Sequence, residues 1–319
     1  MSINVKTALE CAPTVRHISW TERDVLLYHL SLGAGRGGDD ELALTYERDL
    51  RVLPTFALVA GQGISAGART ATGLTLPGID VDLARLLHAG QNVTVHRAIP
   101  TCGTAFLSTA VTHVWDKGID ALIELEHRAT TCHDVPLWTS IMSIWARGEG
   151  GFGGSRGPQA GPQAPDRAPD STFEVTTAAD QALLYRLNGD LNPLHVDPAF
   201  ARAAGLDRPI LHGLASLGIL TKGLGTALLD AEWGRVHSVT ARFAGVLYPG
   251  ETMRVRTWHT DAGIAFVASC AERNDAAVLT HGRVEVVAAD ALNSRCRHTS
   301  AAQRNRHVSL DETDAGQGL

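Results

Sequence analysis

The chain has 319 residues, 44% hydrophobic and 19% charged, a globular balance that excludes wholesale disorder and suits about two domains. Its 28 Lys and Arg against 34 Asp and Glu give a net charge of −6, which argues against a nucleic-acid partner or an anionic membrane surface. No apolar run reaches the roughly 20 residues of a membrane helix, the N-terminus lacks a secretory apolar region, and five scattered cysteines without a C-x-x-C pair fit neither a disulfide framework nor a structural zinc site, so a reducing cytoplasm is the expected location.

In chain order, the first predicted element is a helix capped by Thr21, with Asp24 in its first turn, carrying Leu26-Leu27-Tyr28-His29-Leu30-Ser31. Val52-Leu53-Pro54-Thr55 then opens a long, small-residue apolar segment, FALVAGQGISAGA, which reads as a central helix that other backbones approach closely. Strand-like runs follow at 92–99, 104–115, 121–131 and 137–146, punctuated by Pro100, Gly103 and Gly118. The stretch 148–170 is crowded with Gly and Pro and reads as a linker draped over the surface.

The order then repeats. Thr177 and Asp180 open a helix carrying Leu183-Leu184-Tyr185-Arg186-Leu187-Asn188, Ile210-Leu211-His212-Gly213 introduces a second apolar segment, LASLGILTKGLGTALL, and strand-like runs follow at 235–247, 252–260, 264–271 and 277–288. The expectation is a duplicated α+β architecture, with antiparallel strands wrapped twice round a long central helix. Its units are 1–147, the linker 148–170, 171–290, and a polar tail at 291–319 that reads as disordered.

The segment YRLNGDLNPLHVDPAFA carries the chemistry. Asn188-Gly189 closes one helix, because both residues tolerate the left-handed conformation. Asp190 to Pro193 then forms a turn, and Asp197-Pro198 starts a new helix that ends at Gly205. Asp190 and His195 therefore flank one proline-fixed turn and can converge on one water as a general acid/base unit, while Asn192 can brace the loop or orient that water. If the second central helix begins near His212, the N–H of Gly213 has no intrahelical acceptor and no side chain to block an approaching oxygen, which suits an oxyanion donor. In the first half Gly33 stands where Asp190 does, and Thr55 where Gly213 does, so only the second copy is expected to be active.

This segment closely resembles the hydratase 2 motif of the MaoC-like, (R)-specific enoyl-CoA hydratases, and PILHGLASLG resembles the start of that family's hot-dog helix. WTERDVLLYHLSLGAG, VLPTFALVAG and GEGGFGGSRGP are similar to the two-domain hydratase 2 form, so the resemblance covers roughly residues 15 to 288; Asn188 replaces the family's usual Ser or Thr. It implies a double hot-dog fold, with two antiparallel sheets each round a central helix. It also implies addition of water to a trans-2-enoyl-CoA to give a (3R)-3-hydroxyacyl-CoA, of a long or bulky fatty or steroid acyl chain. Asp190 and His195 would hold the water, Gly213 N–H the thioester oxygen, and Asn192 the dyad. Coenzyme A belongs to the substrate, so no cofactor or metal is expected.

Arg208 and Arg242 are candidates for the coenzyme A phosphates. The other histidines, His88 among them, show no metal-ligand spacing, and the tryptophans on strand-like runs read as packing residues. Three rival readings share the fold: a dehydratase running the same chemistry backwards, an acyl-CoA thioesterase, and a non-catalytic acyl-CoA-binding subunit. One chain can form a complete catalytic unit, and a homodimer is compatible with it.

Overall fold

The computed structural model describes residues 2–62, 73–159 and 163–288. Its elements are α1 (Val5–Glu10), β1 (Thr14–Trp20), α2 (Glu22–Ser31), α3 (Leu42–Thr45), β2 (Gly73–Leu76), β3 (Ile79–Asp82), β4 (Leu86–Val95), β5 (Gly103–Asp116), β6 (Ala121–Thr130), β7 (Pro136–Ala146) and β8 (Ser171–Thr176). The second half continues with α4 (Gln181–Tyr185), α5 (Pro198–Ala203), α6 (Gly213–Leu228), β9 (Val236–Phe243), β10 (Thr252–Thr260), β11 (Gly263–Cys270) and β12 (Ala276–Val286). Ten of the strands form one antiparallel sheet in the order β1-β5-β6-β7-β4-β9-β12-β11-β10-β8, and β2 and β3 form a separate hairpin.

The double hot-dog expectation holds, with two differences of detail. First, the two five-stranded halves are not separate sheets: β4 of the first pairs with β9 of the second, from Gly90↔Arg242 to Thr94↔Ser238. Residues 1–286 accordingly form one unit. Second, only one long central helix is present among the described residues. That helix is α6, and Leu217, Ile219, Leu220 and Leu224 on it are buried. Its glycines admit large neighbours: a Cβ on Gly225 would collide with the Trp233 ring, whose indole N–H donates to Lys222 O at 2.9 Å. Lys222 itself forms a buried ion pair with Glu41 from the first half.

The helix expected over FALVAGQGISAGA does not form in its described part. Pro54–Leu58 is a short 3-10 helix, and Gly61 turns the chain with φ +70°, where a Cβ would lie 2.6 Å from Ile18 Cβ. A left-handed glycine pressed against a strand residue ends a helix. The remainder of that segment falls outside the described residues, as do 160–162 of the expected linker and the expected tail at 291–319.

The repeated helix starts differ in their caps. Thr21 and Asp24 form a reciprocal capping box, with Thr21 N–H donating to Asp24 at 2.8 Å. Thr177 is not a cap. Its hydroxyl donates to Glu251 O at 2.8 Å, and Asp180 takes the cap position instead. The duplication is visible where matched residues meet: Tyr28 lies 6.2 Å from Tyr185, and Asn188 Nδ2 donates to Ser31 Oγ at 2.9 Å. Equivalent residues touch each other only near a two-fold axis.

The linker is tied down at both ends. Asp116 accepts from Gly151 N–H at 3.1 Å and Gly153 N–H at 2.6 Å, Asp120 accepts from Gly148 N–H at 2.8 Å, and Trp258 Nε1 donates to Arg167 O at 2.9 Å.

His29, fully buried in α2, sits between Leu44 O at 2.9 Å and the donating N–H of Leu53 at 3.2 Å. Burial lowers its pKa to about 4, against the pull of the Leu44 carbonyl. As pH falls below about 6.5 the unfolded chain takes up this proton first. Folded-state stability therefore declines between pH about 6.5 and 4, by up to ~1.4 kcal/mol per pH unit for one such histidine. Urea unfolding at pH 7 and pH 5 should show this loss, and His29→Gln should make the dependence shallower.

Candidate active site

The site is built on the turn between α4 and α5 and on the first residues of α6. The 3-10 turn Arg186–Asn188 ends at Gly189, whose φ of +122° no other residue adopts comfortably. A second 3-10 turn, Pro193–His195, follows, and Asn192 caps it by accepting from Leu194 N–H at 3.0 Å. Asp197 then caps α5, with Pro198 in its first turn. This rigid corner carries Asp190 and His195 on its two sides.

His195 Nδ1 lies 2.9 Å from Ile210 O. A carbonyl only accepts, so Nδ1 carries the proton and Nε2 is left as an acceptor. That Nε2 faces Asp190 Oδ2 at 3.9 Å. The other carboxylate oxygen accepts from Asn192 N–H at 3.1 Å. His195 is buried, whereas the Asp190 side chain is 49% exposed. Burial lowers the His195 pKa, with the Asp190 carboxylate and the Ile210 carbonyl acting against it. The imidazole is therefore neutral at pH 7 and stays so below its ordinary range.

Gly213 is the first residue of α6, so its N–H has no acceptor within the helix. A Cβ there would lie 3.0 Å from the Phe243 ring, so any side chain at this helix start would press on that ring. The structure thus gathers Asp190, His195 and the helix start at Gly213 at one corner. Asn192 reaches the dyad only through its backbone.

The two arginines are not brought there. Arg242 is exposed on β9 beside Phe243, and strand alternation sends its side chain to the opposite face. Arg208 is exposed, donates to Pro249 O at 3.1 Å and lies 4.8 Å from the Tyr248 ring centre.

Two further residues were missed by the sequence reading. His212 stacks on His195 with centroids 3.6 Å apart and planes at 25°, and its Nε2 lies 3.3 Å from Asp190 O. Burial, followed by the neighbouring His195, lowers its pKa to about 3. The only signal was its place beside Gly213. His88, on β4 of the first half, lies 4.6 Å from Phe243 and feels the Asp190 carboxylate electrostatically; nothing in its local sequence points to the site.

Asp190, His195 and His212 offer ligand atoms within 4.8 Å of one another. Nearly parallel stacked rings direct their in-plane lone pairs side by side and not at one point, which suits acid–base work better than an ion. We expect His212→Ala to lower kcat about 10-fold with KM unchanged by loosening His195. His212→Phe, which keeps the stacking, should recover most of that loss in the same steady-state assay.

The MaoC like domain matches residues 161–279, and the MFE-2 hydratase 2 N-terminal domain matches residues 18–148. The chain is 46% identical over 282 residues to enoyl-CoA hydratase ChsH3 of Mycobacterium tuberculosis, covering 88% of this chain and 98% of that protein. It is 38% identical over 282 residues to 3-hydroxyacyl-thioester dehydratase Y of the same organism, covering 84% and 93%. Among solved structures, the MaoC-like dehydratase of Phytophthora capsici superposes with a TM-score of 0.78 at 28% identity, over 90% of this chain and 99% of that one. With both halves matched in order and a relative covered almost end to end, the chain belongs to the MaoC-like enoyl-CoA hydratase 2 family.

Proposed function

We propose that the chain is an (R)-specific 2-enoyl-CoA hydratase in which residues 171–290 carry the chemistry and residues 1–147 receive the acyl group. The observation that carries this reading is the pair of acceptors, His195 Nε2 and Asp190 Oδ2, held 3.9 Å apart. One water spans such a gap by donating a proton to each, and its lone pair is then free to attack C3 of the enoyl group. As the C3–O bond forms, the C2–C3 π electrons move onto the thioester oxygen. That oxygen is met by the N–H of Gly213 and the positive end of α6. The charge then returns to C2, which takes up a proton from the dyad, now protonated by the attacking water. All atoms of water end in the product, and no leaving group or redox partner is needed.

Asp190 is assigned as the acceptor of the water proton and His195 as the orienting and relaying group. They titrate as one unit. Asn192 braces the turn that fixes them. Arg208, the nearer of the two arginines along the chain, is the first candidate for a coenzyme A phosphate, and Arg242, on the opposite face of β9 from Phe243, the second. A catalytic water, a carboxylate and two imidazoles suffice for this chemistry without a cofactor. The exposed, unpaired thiols of Cys11, Cys102 and Cys132 fit a cytoplasmic setting. Among the described residues no helix is long and apolar enough to cross a membrane.

The reverse reaction is the second reading, favoured by the likeness to a thioester dehydratase; an enzyme accelerates both directions. The deciding assay follows enoyl absorbance with crotonyl-CoA, a long-chain enoyl-CoA and a steroid enoyl-CoA, together with thiol release and chiral analysis of product. Loss of absorbance without thiol, giving the (3R) product, is expected. Thiol release from saturated acyl-CoA would instead mark a thioesterase.

A further inference from the structure

A cavity of about 310 Å³ lies between the loop after α2, the edge strand β8 and the C-terminal half of α6. Small-molecule sites occupy roughly 300–1,000 Å³, so this one suits a small ligand. The loop reads Gly33-Ala34-Gly35-Arg36-Gly37-Gly38 and turns over Glu41 on glycines with positive φ, +85° at Gly35 and at Gly38. Gly33, which stands in the first half where Asp190 stands in the second, lines the cavity. Where one copy of the repeat carries its acid/base turn, the other borders this space.

Lys222 and Glu41 pair in the cavity wall, with side chains 8% and 4% exposed. The Glu41 carboxylate is fully engaged. One oxygen accepts from Lys222, and the other accepts from Gly35 N–H at 2.7 Å and Gly37 N–H at 3.4 Å. Lys222 is not. An ammonium carries three N–H groups, and among the described residues Lys222 Nζ donates to Glu41 alone. Arg36 donates to Gln181 Oε1 at 3.1 Å and lies 3.6 Å from Asp180, which leaves further guanidinium N–H groups uncommitted. The other side-chain acceptors of the wall are taken: Gln181 Oε1 also accepts from Ala178 N–H at 3.0 Å, and Glu174 accepts from Arg254 at 2.8 Å. Leu32, Phe173, Val175 and Ile219 make the apolar part.

A buried cation short of partners is costly, and a ligand that brings acceptor atoms relieves that cost. Two cationic donors with N–H groups to give, beside an apolar wall, match a carboxylate on a compact alkyl body. We propose that this cavity binds a short-chain monocarboxylate, with its oxygens on Lys222 Nζ and Arg36 and its alkyl chain against Leu32, Phe173, Val175 and Ile219. Lys222 lies nine residues (222 − 213) along α6 from Gly213, about 14 Å at a rise of 1.5 Å per residue. The site is therefore separate from the acid/base corner, and both can be filled at once.

The test is calorimetric titration of the whole chain with hexanoate and with hexanamide, which is nearly the same size and uncharged. We expect one hexanoate per chain and binding of hexanamide about 10-fold weaker. Arg36→Gln should weaken hexanoate about 10-fold. Ala227→Leu, which fills the cavity from an exposed position on α6, should abolish hexanoate binding. Butanoyl-CoA, a saturated thioester that cannot be hydrated, should leave the hexanoate affinity unchanged. Absence of hexanoate binding, equal binding of hexanamide, an affinity untouched in both variants when circular dichroism shows them folded, or displacement by butanoyl-CoA would overturn the site.

Discussion

Asp190→Asn is expected to lower kcat for crotonyl-CoA hydration by ~10²–10⁴, the range that positioned acid–base groups supply. The change is nearly isosteric, and the side chain is half exposed. Asn keeps an oxygen that can accept from Asn192 N–H as Asp190 now does at 3.1 Å. What is lost is the second acceptor opposite His195 Nε2, so the water keeps one anchor and has nowhere to send its proton. His195→Ala should fall into the same range. It removes the imidazole that bonds Ile210 O at 2.9 Å and supports the stacked His212. Because the two groups act on one water, the double variant should be little worse than either single one. Steady-state kinetics with circular dichroism as a folding control decide the matter. Near-normal turnover in either folded variant would remove the dyad from the mechanism.

The dyad was legible in the sequence because its determinants are local. Gly189, Asn192-Pro193 and Asp197-Pro198 each fix the backbone within a residue or two, and His195 follows from them. The eight strand runs were legible too, since alternation and turn residues are written in the strands themselves. The edge strands β1 and β8 were not. Each is paired on one side only, so less of its surface is buried and its apolar alternation is weaker. That the described part of FALVAGQGISAGA is not a long helix was invisible for another reason. Its composition matches that of α6, and what stops it is the approach of Ile18 to Gly61, a contact between distant parts of the chain. His88 and His212 were missed on the same grounds. Their importance lies in β4–β9 pairing and in ring stacking, neither of which leaves a mark on neighbouring residues. The face that Arg242 takes was not legible either, since a basic residue on a strand can face either way and nothing local chose the face.

Gly213→Pro should lower kcat by a further ~10²–10³ relative to Gly213→Ala, which keeps the backbone hydrogen. An oxyanion donor from the main chain cannot be removed by ordinary side-chain replacement, but proline has no N–H. The position tolerates it. Gly213 is the first helical residue, where proline is favoured, and His212 has φ −60° and ψ 138°, within the range a residue before proline adopts. Both variants place a Cβ about as close to the Phe243 ring as the 3.0 Å expected for any side chain here. Crowding by Cβ is therefore common to the pair, while proline also sets its Cδ where the amide hydrogen pointed, so the thioester oxygen loses both the donor and the space beside it. Removing such a donor costs roughly 3–4 kcal/mol of transition-state stabilisation. The expected signature is a kcat loss in the proline variant well beyond that in the alanine variant, accompanied by a raised KM. If alanine and proline fall together, the thioester oxygen is held elsewhere, and the positive end of α6 acts only through its field.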